Sequence, residues 1–355
     1  MRGRHSKQVS MLCLLNVEDR IPEEHPLRAV KKLADVALKD MSSALGRMYP
    51  RSGRPSVPPE RLLKSMLLIA LYSVRSEVQF CEQLHYNMLF RWFLDMDMTE
   101  PTFDHCAFSD NRERFLKHDA AGRFFKKVVL QAEQAGLMSA QHFSVDGTLI
   151  EAWASMKSFR PKDDDGNKGD SNGWSDFSGK KRSNDTHGSR TDPDSRLFRK
   201  GRGKEARLTF MGHALMENRN GLIRDIQITI SSGRAEREAA LEMTVRSISA
   251  TTATLGADAG YDAKDFIRDL RERGITPHVA QKRRSALDRR TTRHPGYMAS
   301  QCVRKRAEQI FGWLKTIGGL RKTRYKGRSR NQLSAYMAST AYNLLRMAKL
   351  MPSSV

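Results

Sequence analysis

Between Gln281 and Arg330 the chain carries sixteen Lys or Arg residues and only two acids, Asp288 and Glu308. Glu308 stands in the run Gln301-Cys302-Val303-Arg304-Lys305-Arg306-Ala307-Glu308-Gln309-Ile310-Phe311-Gly312-Trp313-Leu314-Lys315. A surface this basic attracts phosphate backbones. A lone carboxylate within it repels them unless a divalent cation sits between acid and phosphate. At about 100° per residue, Val303, Ala307, Ile310, Leu314 and Ile317 form one apolar stripe. Glu308 lies roughly 140° from the centre of that stripe, with Arg304 and Lys315 within about 40° of it. Such a helix buries one side and presents Arg, Glu and Lys together on the other. The plainer reading of that face is a solvated surface with an Arg304–Glu308 pair at i,i+4.

Two further acids stand at element ends. Asp146 lies in Phe143-Ser144-Val145-Asp146-Gly147-Thr148, which alternates as a half-buried strand does. Asp258 closes the strand-like segment from Ala253, just ahead of Gly260. If these strands are neighbours and the Glu308 helix packs on their sheet, three carboxylates meet at one point. Three carboxylates hold two Mg²⁺ ions (or Mn²⁺), hard cations that prefer oxygen. Two such ions about 4 Å apart suit in-line attack on a phosphodiester. Taken singly, Asp146-Gly147-Thr148 also reads as turn chemistry and Asp258 as the start of a loop. Asp262 lies close by and competes with Asp258.

The elements that must position these groups fall into three regions. Residues up to about 139 read as all helix. Leu62, Leu63, Met66, Leu67, Ala70 and Leu71 recur at helical spacing behind Pro58 and Pro59. Ser76-Glu77-Val78-Gln79 matches a capping box for a helix running to about Asn87. Leu89 to Leu94 continues apolar, and Pro101 breaks the chain. Ser109 then caps a helix bearing Arg112, Arg114 and Lys117. Short helices, a proline turn and a basic last helix suggest a helix-turn-helix-like DNA module, or else a plain bundle with a basic outer face. From about 156 to 207 the chain is crowded with Gly, Ser, Asp, Asn and Lys and reads as a long, loop-rich insertion. Its Asp163-Asp164-Asp165 run is a solvated tract, since a loop does not fix ligand geometry.

The rest reads as α/β. Leu208–Glu217 and Leu222–Ile230 flank Asn218-Arg219-Asn220-Gly221, a hairpin signal. Arg237–Ser249 has helical spacing, Ala253–Asp258 reads as a strand, and Lys264–Arg273 is a helix stopped by Gly274. Pro277–Ala280 is a short strand. The Glu308 helix follows, then an amphipathic helix from Asn331 to Leu350. The order β, β-hairpin, α, β, α, β, α specifies a mixed sheet with helices on its faces.

Composition bounds the partners. A chain of 355 residues supports about two domains. The formal charge of +22 points to nucleic acid. The longest apolar run, Met66 to Val74, falls far short of the roughly 20 residues a membrane span needs. No apolar run follows the charges of MRGRHSKQVS, so no signal peptide is expected. Cys13, Cys81, Cys106 and Cys302 are scattered, without a CxxC pair. That indicates neither zinc nor disulfides, and a reducing, cytoplasmic setting.

The chain resembles the DDE transposases of bacterial insertion sequences, in the insertion-sequence-five group. The matching stretches are FSVDGTLIEAWAS around Asp146 and SRTDPDSRLFRKGRGKEARLTFMGHALMENRNGL. Next come LGADAGYD around Asp258 and TTRHPGYMASQCVRKRAEQIFGWLKTIGGLRKTRYKG around Glu308. The N-terminal SVRSEVQFCEQLHYNMLFRWFLDM is similar to the family's entry domain, so the resemblance spans nearly the whole chain. It implies a helical domain over 1–139, an RNase H-like catalytic domain over 140–330 and a C-terminal helix over 331–355. It also implies Asp146, Asp258 and Glu308 as the metal-binding triad. In the family's Tyr, Arg, Glu, Lys signature, Arg304, Glu308 and Lys315 match, while Gln301 holds the tyrosine position. Any stacking or phosphate contact of that tyrosine is therefore not carried over.

Implied partners are the element's terminal inverted repeats and target DNA, with Arg304, Lys315, Arg321, Lys322, Arg324 and Lys326 along the phosphates. A transposition-silent DNA-binding regulator or a simple metal-dependent nuclease would use the same fold. Two element ends and one triad per chain imply a homodimer, formed on DNA once phosphates neutralise the charge. Met88–Trp92 and Asn331–Leu350 are the candidate contacts. DNA affinity is expected to fall steeply with salt, each phosphate contact adding about −0.9 to the slope of log K against log salt. A titration of duplex binding against NaCl measures it, and a nearly flat line contradicts the electrostatic reading.

Overall fold

The computed structural model describes residues 16–162 and 183–351, apart from 51, 54, 200, 202 and 251. Cys13 and Asp163-Asp164-Asp165 lie outside the described residues. The N-terminal region is helical: α1 (Leu27–Lys39), α2 (Ser42–Gly46), α3 (Pro59–Leu71), α4 (Glu77–Tyr86), α5 (Met88–Phe93), α6 (Cys106–Lys117) and α7 (Ala120–Gln134). Pro59 takes the first position of α3, where its missing N–H costs nothing. Ser76 caps α4 by accepting from the Gln79 N–H at 3.0 Å, and the Gln79 side chain returns to the Arg75 N–H at 3.0 Å.

Helix α6 begins before Ser109, whose hydroxyl donates back to the Cys106 carbonyl instead of capping. Two of its basic residues also turn inward, while Lys117 is exposed. Arg112 pairs with Glu77 and lies over the Tyr325 ring, while Arg114 lies over Tyr49. Asp104, His105 and Cys106 lie within 4.8 Å of one another there, but all three are exposed and Asp104 serves as a cap for the Cys106 N–H.

The sheet follows. Its strands are β1 (His142–Glu151), then β4 (Arg196–Phe198), β5 (Arg207–Glu217), β6 (Ile223–Ile230), β7 (Thr254–Ala257) and β8 (Thr276–Val279). A separate ribbon joins β2 (Phe159–Pro161) to β3 (His187–Ser189), so the flanks of the insertion are ordered into strands where composition suggested loop. Between and after the strands come α8 (Ala235–Ser247), α9 (Lys264–Glu272), α10 (Arg289–Arg293), α11 (Pro295–Val303), α12 (Arg306–Thr316) and α13 (Arg328–Leu350).

The hairpin expected at Asn218–Gly221 joins β5 to β6, and Gly221 has φ +68°. β5 is antiparallel to β1 and β6, whereas β7 and β8 run parallel to β1. This mixed order, β6-β5-β1-β7-β8 with helices on both faces, is the expected RNase H-like arrangement. One core cluster fills the side that carries α12 and α13 and continues without a gap into the N-terminal helices. A second gathers Phe143, Val145, Leu255, Met243 and Phe266 beneath α8 and α9.

α13 closes the outer edge of the sheet. The amide of Asn343 accepts from the Ile223 N–H and donates to the Ile223 carbonyl, both at 2.8 Å. Gln332 does the same for the Ile228 N–H at 2.6 Å and the Ile226 carbonyl at 3.0 Å. These side chains satisfy edge groups that would otherwise be open. Of the segments considered for chain–chain contact, α13 is packed within its own chain, as are Phe90 and Trp92 of α5, while Met88 is exposed. Asn343→Leu strands two buried backbone groups. It is expected to destabilise the protein by about 2–4 kcal/mol. Urea unfolding of the variant beside the wild-type chain measures this.

Candidate active site

The site starts from strand register. His142, Phe143 and Ser144 of β1 pair in parallel with Thr254, Leu255 and Gly256 of β7. Carried two residues further, the same register sets Asp146 level with Asp258, on strands about 4.8 Å apart. Asp146 accepts the N–H of Gly147 at 2.8 Å. Asp258 lies one residue beyond β7 and caps a short 3₁₀ turn, Ala259–Tyr261, through the Gly260 N–H at 2.7 Å.

Asp262 separates clearly from Asp258. It is buried, and its carboxylate accepts the N–H groups of Lys282 at 2.8 Å and Ala286 at 3.0 Å. Burial works to raise its pKa, but those two hydrogen bonds prevail and hold it below the usual aspartate value. Asp262 hangs the 281–287 loop and is not free for another ligand.

Glu308 arrives on α12, which packs against β1 through the face bearing the buried Ala307, Ile310 and Leu314. It sits in the first turn of that helix and is exposed. The apolar stripe is shorter than its periodicity suggested, because α12 ends at Thr316 and Ile317 is exposed. Nor is the helix continuous with the residues before it. α11 ends at Val303 and α12 begins at Arg306, with Arg304 and Lys305 as a helical-dihedral joint between them. Arg304 does not form the i,i+4 pair with Glu308. Its Nε donates to the Gln301 Oε1 at 2.9 Å, and Gln301 donates in turn to the His278 carbonyl of β8. Gln301, in the family's tyrosine position, thus ties Arg304 to the sheet. Nothing in the spacing of the sequence signalled that bridge.

The acids feel one another. Burial pushes Asp146 up to about 6, and the charges of Asp258 and Glu308 add to the shift. The Gly147 N–H and the Arg304 charge oppose it. The three carboxylates do not close to 4.8 Å of one another. Their chemistry nonetheless fits a hard divalent cation, since all three offer oxygen donors and Asp258 and Glu308 are near enough for their charges to act on Asp146.

The expected phosphate track divides. Arg321 and Lys326 are exposed. Lys322 faces Glu151 at 3.3 Å. Arg324 is turned inward, donating to the Val74 carbonyl at 2.6 Å. Lys315, in the last turn of α12, is half-buried. A cavity of about 620 Å³ lies elsewhere, lined by His142, Thr254 and Thr276, which stand at the opposite ends of β1, β7 and β8 from the acids.

Residues 140–344 match the family described as "Transposase DDE domain", and residues 15–114 match "Transposase domain (DUF772)". The chain belongs to the DDE transposases of insertion-sequence type. Membership makes it a DNA-cleaving and DNA-transferring enzyme and implies dependence on a divalent metal. Two solved structures are distantly similar. One is a piggyBac transposase synaptic complex with hairpin DNA (9% identity, TM-score 0.38, covering 93% of this chain and 82% of that one). The other is a pre-cleavage Mos1 transpososome (9% identity, TM-score 0.21, covering 84% and 82%). No described helix is long and apolar enough to cross a membrane.

Asp146 has a consequence for stability. Its pKa in the fold, about 6, lies above the ordinary 3.8, so the fold favours the protonated form. That contribution is complete below about pH 4 and is lost as pH rises through about 6. In EDTA at pH 7.5, Asp146→Asn is expected to melt roughly 2 °C above wild type. The gap should close by pH 4, as thermal melts across that range will show.

Proposed function

We propose that the protein is a transposase of the insertion-sequence-five group that binds the terminal inverted repeats of its element and carries out strand cleavage and strand transfer. Asp146, Asp258 and Glu308 hold two Mg²⁺ ions, or Mn²⁺, in this reading. The support for it is the parallel β1–β7 register, which extended two residues past its last pair brings Asp146 level with Asp258, together with the charges of Asp258 and Glu308 acting on Asp146. Bound cations supply charge neutralisation and an activated nucleophile for phosphodiester attack.

The chain's own residues prepare that chemistry. β1 and β7 fix two carboxylates by backbone register, and α12 brings the third from its first turn. Gln301 steadies Arg304, whose guanidinium offsets acid charge and in this reading meets a phosphate. Lys315, Arg321 and Lys326 extend the basic surface along the DNA. Water attacks first at the element ends, and the freed 3′-OH then attacks target DNA, both as phosphodiester transfers at one site. The helices of residues 1–139 serve as the reader of the terminal repeats, and two chains act together on paired ends, where DNA neutralises their charge.

Asp146→Ala, Asp258→Ala and Glu308→Ala are each expected to lower cleavage of Mg²⁺-treated terminal DNA at least a thousandfold, about 4 kcal/mol. Gel-shift affinity for the same DNA should change little. Asp262→Ala, which frees the 281–287 loop, is expected to lower the melting temperature in EDTA more than Asp258→Ala, which removes one cap. Near-normal cleavage by any triad variant removes that residue from the site. Wild-type protein that cuts without joining is a nuclease, and protein that binds without cutting is a regulator. Mass measurement of the active complex on paired ends should give two chains, and a fully active single chain excludes the dimer.

A further inference from the structure

Gly147 follows Asp146 on β1 and leaves a gap that a fourth acid enters. A Cβ at Gly147 would lie 3.0 Å from the Glu236 Oε1 and 3.1 Å from its Cγ. Glu236 stands in the first turn of α8 and is half-buried. β6, which leads into α8, runs parallel to β1, so α8 starts at the end of the sheet where Asp146 and Asp258 stand.

A second observation points into the same space. Tyr261 is 1% exposed, and its buried hydroxyl has no hydrogen-bond partner. The carboxylates of Glu236, Asp146 and Asp258 lie near enough for their charges to act on it. A buried hydroxyl near three carboxylates, with no hydrogen-bond partner, is a costly arrangement in a finished core. It makes sense where oxygen donors are collected for a ligand that the carboxylates share. Glu236 enters from the α8 face of β1, while Glu308 enters from the α12 face. Together they flank the level pair of aspartates.

We propose that Glu236 is a fourth oxygen donor to the divalent-cation site, in addition to Asp146, Asp258 and Glu308. The inference rests on the reading of those three as the cation site. It adds a donor held in the first turn of α8. Glu236→Gln keeps the shape of the side chain and removes its charge. Glu238, exposed on the same turn, provides the control.

The test is Mn²⁺ binding to the DNA-free full chain, followed by electron paramagnetic resonance and calorimetry. Glu236→Gln is expected to weaken Mn²⁺ binding about tenfold, with Glu238→Gln unchanged. Iron(II)-generated hydroxyl radicals are expected to cut the wild-type backbone at the start of α8 as well as beside Asp146, Asp258 and Glu308. Wild-type Mn²⁺ affinity in folded Glu236→Gln overturns the proposal. Should that variant not fold, absence of radical cleavage at 235–238 in the wild-type chain overturns it equally. Asp258→Asn separates the two readings. If it too binds Mn²⁺ normally, the three-acid site itself is wrong. If it loses binding while Glu236→Gln does not, only the fourth donor falls.

Discussion

Two side-chain amides hold the molecule together at its seam. Asn343 and Gln332 of α13 stand where a further strand would pair with β6, and they complete its hydrogen bonds. The other faces of the same helix pack on α1, α3 and α7. A sheet edge is therefore sealed by the element that also gathers the N-terminal helices, and one apolar core runs from Val17 to Met347. Sealing by amides suits a protein of this charge. It gives the edge strand its full bonding without another strand and leaves no open ladder for a second chain to join.

The acid site depends on backbone order of a different kind. Carboxylates repel, and no side-chain contact would gather them unaided. Strand pairing does so instead, because Asp146 and Asp258 are carried by a ladder whose energy comes from hydrogen bonds and from Phe143, Val145, Leu255 and Ala257 beneath it. The cost appears as the raised proton affinity of Asp146. Arg304 offsets part of it from a joint between helices, and its orientation is set by Gln301 rather than by Glu308.

Much of this was legible in the chain. Proline at the start of α3, the Ser76 cap, the glycine of the β5–β6 hairpin and the alternation around Asp146 are local signals, and each produced the element it specified. What escaped depends on contacts far apart in sequence. Arg324 reads as another exposed cation until its donation to Val74 is seen, across 250 positions. Arg112 reads as a DNA-facing base until Glu77 and Tyr325 enclose it. The break at Arg304–Lys305 carries no glycine or proline. It arises where α11 is tied to β8 by Gln301 and Tyr297 while α12 turns to pack on β1. Asp258 and Asp262 are alike as residues in a sequence, and only the loop hung on Asp262 tells them apart.

That loop has a mechanical meaning. It bears Lys282, Arg283 and Arg284 and leads on to Arg289 and Arg290, so Asp262 anchors a strongly basic segment. From Asp262 the chain runs back to Asp258. Between them stands Tyr261, whose ring is sunk in the core against Phe266. A buried aromatic there acts as a pier. The packing around that ring fixes the turn that separates Asp258 from Asp262.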